Sequence, residues 1–166
     1  MNTHASTRYR NELCEVLRRL LRLYERALSV SREKTTALTE NKIDNIKNTT
    51  GVIQQLGEQI EQAEEARGAL MEKISGAEGQ TPGKLTLRAL AGLWEDEEVL
   101  ALRGDLRRVL AELKKVSERN ALLVGQAQKV YSFLSQIYYS AFESRGGYNA
   151  QGNREKRQGG YFEGEV

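Results

Sequence analysis

A single histidine, a single cysteine and a single proline occur in 166 residues, and each scarcity removes a class of function. The histidine is His4, near a terminus, where side chains are rarely held in a fixed site. Without a second imidazole or several thiolates, no zinc site, Cys-His pair, Ser-His-Asp triad or two-helix di-iron centre can be assembled. No metal or cofactor is therefore expected, and no enzymatic activity. The lone thiol of Cys14 cannot close an internal disulfide and agrees with a reducing compartment, taken as the cytoplasm. Set in an apolar stretch with no histidine to activate it, it reads as a small, inert core residue. Long hydrophobic runs are lacking too: nothing approaches the roughly 20 apolar residues that cross a bilayer, and the start of the chain has no signal-type apolar segment. Charge of one sign is also scarce. With 25 basic against 23 acidic residues the formal charge is +2, too balanced for the phosphate-dominated footprint of a nucleic-acid binder.

What is present is helical periodicity. Hydrophobic residues at 39% against charged residues at 29% suit long exposed helices with narrow apolar stripes better than a thick core. Leu13, Val16, Leu17, Leu20, Leu21, Tyr24, Ala27, Leu28 and Val30 recur at three- and four-residue steps, which predicts a helix over 7–38 with a face broad enough for two neighbours. Its arginines form a solvated face. A short turn near Thr39–Asn41 leads to a second helix over 41–74. That helix carries the seam Ile46, Thr49, Ile53, Leu56, Ile60, Ala63, Arg67, Leu70, Ile74, with polar breaks at Thr49 and Arg67. Gly51, Gly57 and Gly68 cost it about 1 kcal/mol each against alanine, and offer places where another helix could come close.

The turn-like stretch around Pro82 divides this hairpin from the rest. After it, a short connecting helix is expected, capped by Thr86, ending near Gly92 and closing the end of the bundle with Trp94. Gly83-Lys84 superficially suggests a phosphate-binding loop. The first glycine of that motif would fall on Glu78, and Leu85 stands where Ser or Thr is required, so nucleotide binding is rejected. A third long helix over 96–142 holds a strict heptad seam, Val99, Leu102, Leu106, Val109, Leu113, Val116, Asn120, Leu123, Ala127, Val130, Leu134, Ile137, Ala141. Folded back on the second helix, it would bring Asn120 near Thr49 or Thr50 and Arg67 near Asp105 as register contacts. The expected fold is an all-α, elongated antiparallel bundle of three long helices with coiled-coil-like seams and a short connecting helix, over 1–143. A flexible glycine-rich tail over 144–166 carries Tyr148, Tyr161 and Phe162.

The end of the third helix is the most informative feature. Around the seam positions Val130, Leu134 and Ile137 it adds Tyr131, Phe133, Tyr138, Tyr139 and Phe142, pointing in more directions than one core can absorb. Such a surface either receives an amphipathic helix from another protein or is hidden in a homodimer, as in a coiled-coil structural adaptor.

The arrangement resembles the flagellar export chaperones of the FlgN type over about 11–152. The resemblance rests on Leu20-Leu21-Arg22-Leu23-Tyr24-Glu25 in the first helix and Ile60, Ala63, Arg67, Leu70 closing the second. Leu85-Thr86-Leu87 with Leu90 in the connector, Glu118-Arg119-Asn120 with Leu122-Leu123 in the third helix, and Tyr148 with Gly152 in the tail complete it. It implies a cytoplasmic, non-enzymatic chaperone with two partners: the C-terminal helical segments of flagellar hook-associated proteins, and the cytoplasmic domain of the export gate. Neither nucleic acid nor membrane insertion is implied. By the same resemblance Val130, Tyr131, Leu134, Ile137 and Tyr138 form the client groove, and Tyr148 and Gly152 the gate contact. Tyr161 and Phe162 lie beyond the resemblance and receive no role.

Overall fold

The computed structural model describes residues 3–81 and 83–143, with side chains described over 7–81 and 83–137. Four helices follow one another: α1 (Thr3–Thr39), α2 (Ile43–Ala77), α3 (Leu87–Trp94) and α4 (Glu97–Glu143). The protein is all-α, with no strand among the described residues. It divides into two units, Met1–Leu123 and Val124–Val166. The first holds α1, α2, α3 and α4 up to Leu123, and the second begins with the remainder of α4.

In the first unit the chain reverses after α1 through Asn41, whose φ of 54° lies in the left-handed region that asparagine tolerates better than most residues. The Lys42 N–H donates to the Ala37 carbonyl at 2.9 Å, occupying an otherwise orphaned helix-end acceptor. α2 then returns antiparallel to α1. Leu13, Leu17 and Leu20 share one core cluster with Leu70 and Ile74 near the end of α2, while Ala27 and Val30 share a second with Leu56. The α2 seam therefore faces inward, with Thr49, Leu56, Ala63, Leu70 and Ile74 buried. Thr49 tolerates burial by donating its hydroxyl to the Asn45 carbonyl at 2.7 Å.

α3 begins as its sequence predicts, with Thr86 Oγ1 accepting from the Ala89 N–H at 3.1 Å. It continues past Gly92 to Trp94, and Glu95 takes the left-handed conformation at φ 51°. Trp94 packs against the core and its indole N–H donates to Glu78 at 3.1 Å, joining the two ends of the connection. Asp96 caps α4 by accepting from the backbone N–H of Glu98 (2.9 Å) and Val99 (3.3 Å). Arg10 pairs with the same carboxylate, and that bond, helped by the two N–H groups and opposed by burial, holds the Asp96 carboxyl below its ordinary pKa.

α4 runs parallel to α1, because their contacts advance together: Arg10 with Asp96, Arg18 with Glu98, Arg32 with Glu112 and Thr35 with Asn120. The three long helices of this unit thus run up, down and up. Both proposed register contacts differ from the expectation. Asn120 is buried but pairs with α1, donating to the Ser31 carbonyl at 2.9 Å. The Thr35 hydroxyl lies 2.7 Å from Asn120 Oδ1 and 3.0 Å from the Ser31 carbonyl, so its one proton serves two acceptors. Arg67 donates within α2 to Glu64 at 2.6 Å, and Asp105 pairs with Arg108 at 2.8 Å. α1 supplies the polar partners of Asn120, whereas Arg67 and Asp105 each find theirs three residues away on their own helix. Among the described residues the glycines of α2 are not sites of close approach: apart from the helix's own backbone, a Cβ built on Gly51, Gly57 or Gly68 meets no atom within 4 Å.

Candidate functional site

α4 owes its length to a heptad pattern free of proline and broken only by the polar Asn120, with Glu97 and Glu98 in its first turn, where the helix dipole favours negative charge. Burial along it is uneven. Val99, Leu102, Leu106 and Val109 are at most 8% exposed, whereas Val130 is 58%, Tyr131 74%, Phe133 61%, Leu134 57% and Ile137 49% exposed. No side chain over 124–137 is buried.

Four of the five groove residues singled out from the sequence, Val130, Tyr131, Leu134 and Ile137, are therefore apolar side chains open to solvent. Val130, Leu134 and Ile137 follow at four- and three-residue steps on one stripe. At about 100° per residue, Phe133 flanks that stripe on one side and Tyr131 on the other, so nearly half the helix circumference is apolar there. Tyr138 lies in α4, but its side chain falls outside the described residues, as do Tyr148 and Gly152 entirely. Such a surface offers no acid-base pair or nucleophile. It can bind another apolar surface.

The first unit presents a different surface, absent from the sequence-based expectations. A trough of about 590 Å³ runs between α2 and α4, floored by Leu20, Met71, Leu85, Leu87 and Leu106, with Leu110 at its edge. At one side the Tyr24 hydroxyl donates to Glu64 Oε1 at 3.0 Å, while Arg67 donates to Glu64 Oε2. Burial raises the Tyr24 phenol to a pKa of about 12, and the neighbouring Glu64 charge adds to the effect. On the α4 side stand Arg103 and Arg107. The signal that could have located this trough is the pair Arg103 and Arg107, one turn apart beside the seam, to which the heptad pattern assigns no role.

Other candidate chemistry resolves simply. Cys14 is buried, and burial pushes its thiol pKa up, the opposite of what a nucleophile needs. Among the described residues no cluster of His, Cys, Asp or Glu is arranged to hold a metal ion. None of the described helices is long and apolar enough to cross a membrane.

The family model described as FlgN protein matches residues 1–156. A protein of Bacillus subtilis (strain 168) described as uncharacterized protein YvyG is 32% identical over 120 residues, 72% of this chain and 74% of that protein. No solved structure matches significantly.

Proposed function

The chain belongs to the FlgN family of flagellar export chaperones, and from that premise we propose that it binds hook-associated proteins in the cytoplasm and delivers them to the export gate. Clients lie with their C-terminal helical segments along Val130, Tyr131, Leu134, Ile137 and Tyr138. Tyr148 and Gly152 contact the cytoplasmic domain of the gate. The observation that carries the reading is the exposure of Val130, Tyr131, Leu134 and Ile137 on one arc of α4, a contiguous apolar surface that a soluble protein seldom leaves uncovered without use. Covering a client requires no nucleotide, metal or proton transfer, so the activity is binding and release. Affinity comes mainly from apolar burial, about 25 cal/mol per Å² less the ordering costs of association, and salt dependence is modest.

Replacing Tyr131 and Leu134 together by serine tests the groove. Both side chains are exposed, so helicity by circular dichroism persists while capture of a hook-associated client is lost. Capture that survives the double substitution removes the groove from consideration. Truncation after Ser144 is expected to spare client binding and impair gate docking; loss of both contradicts the division of roles. The heptad spacing of Val130, Leu134 and Ile137 also suits self-association as a coiled-coil adaptor. That reading requires a mass that rises with concentration in light scattering and falls back in the serine variant.

A further inference from the structure

The trough between α2 and α4 is built from two facing helix faces. Along α2, Glu64, Arg67, Gly68, Met71, Glu72 and Ser75 fall at steps of three, one, three, one and three, a single face three turns long, about 16 Å at 1.5 Å per residue. Along α4, Arg103, Leu106, Arg107 and Leu110 repeat the pattern over two turns. Two helices lying side by side with apolar residues between them leave the place where one more helix packs in a bundle. The trough is open to solvent along its edges, since Glu72, Arg107 and Leu110 are exposed, and its length is that of a helical segment. Those features set it apart from the enclosed sites that take small ligands.

Charge selects the occupant. On the α2 side Glu64 is already engaged by Tyr24 and Arg67, and Glu72 stands at the exposed rim, where solvent screens it from the apolar floor. On the α4 side Arg103 and Arg107 have no acidic partner among the described residues. Like charges four residues apart on a helix repel, and here they do so at the edge of an apolar floor, where a carboxylate would meet two guanidinium groups in partly desolvated surroundings. Gly68 lies opposite with open space above it, leaving room for a backbone to approach α2.

We propose that this trough is a second docking site, which receives an amphipathic helix of a partner protein whose apolar stripe is flanked by carboxylates facing Arg103 and Arg107. The site uses none of the residues assigned to client capture and does not depend on that reading.

The test uses the full chain and two fluorescein-labelled helical peptides of identical leucine stripe, one flanked by glutamates and one by lysines, read by fluorescence anisotropy. The acidic peptide binds, and the basic peptide binds about tenfold more weakly or worse. Arg103→Glu with Arg107→Glu reverses the preference. Gly68→Leu, whose Cβ stands in open space and whose branches project into the trough, weakens the acidic peptide about tenfold while leaving thermal unfolding unchanged or raised. All of these measurements are made in the Tyr131→Ser, Leu134→Ser background, which removes the exposed strip of α4 that the leucine stripe of either peptide would also bind, so that failure here and failure of the client strip are read separately. In that background, equal binding of the two peptides, no binding of either, or indifference to the trough substitutions overturns the proposal. So does a concentration-dependent mass abolished by Gly68→Leu, because the occupant would then be a second copy of the chain.

Discussion

Tyr24 joins α1 to α2 through one hydroxyl, and its energetics can be separated by pH. Its folded pKa of about 12 lies above the ordinary value near 10 of an unfolded chain, so folding favours the protonated phenol. That contribution is complete below about pH 10 and is lost as pH rises through about 12. Tyr24→Phe removes it and the hydrogen bond to Glu64 while leaving Glu64 paired with Arg67, at a cost of about 1 kcal/mol near neutral pH. Chemical denaturation of both proteins at several pH values checks this: the stability gap narrows between about pH 10 and 12, and a gap that stays constant there contradicts the assignment. Asn120 teaches the same lesson about single residues in another way. The heptad register marked it as a polar break that needed a partner, but only the packed bundle shows that Ser31 and Thr35 supply one.

At the scale of the element, α2 is stabilised by its packed seam more than by its composition. Gly51 and Gly57 lie on its exposed side, and no atom stands within 4 Å of a Cβ built on either. Alanine at both positions is therefore expected to raise stability by roughly 1 kcal/mol each, since the helix gains propensity and meets no steric conflict. Thermal unfolding reads this directly; a melting temperature that stays put or falls shows that these glycines serve something other than the helix. The helix boundaries themselves were legible in the sequence. Expected spans of 7–38, 41–74 and 96–142 compare with Thr3–Thr39, Ile43–Ala77 and Glu97–Glu143, because three- and four-residue periodicity and caps such as Thr86 are local properties. The sequence places the end of α3 near Gly92, whereas the helix runs to Trp94; Glu95 takes the left-handed position after it, the Asp96 N–H bonds to the Ala91 carbonyl at 2.9 Å, and core packing of Trp94 outweighs the residue preference for glycine.

On the scale of the whole molecule, the two units differ in what holds them. Over 97–109, α4 buries Val99, Leu102, Leu106 and Val109, whereas no side chain over 124–137 is buried. Backbone amides of the latter stretch should exchange with solvent well before those of 99–109, because local opening there uncovers little apolar surface. Native-state hydrogen exchange, with and without a client bound, measures it. Protection confined to 124–137 and gained only on binding supports the client strip, and equal protection of both stretches in the free protein argues against it. The sequence by itself determined the helical class, the number of long arms, the inward seams and the unusual aromatic content near the end of α4, since all of these follow from spacing along one chain. Tertiary structure alone decided that Asn120 answers to α1, that Arg67 is engaged within its own helix, and that Arg103 and Arg107 border an open trough. Those facts depend on which faces meet across three helices, and a pattern one residue wide carries no information about the neighbour a face will find.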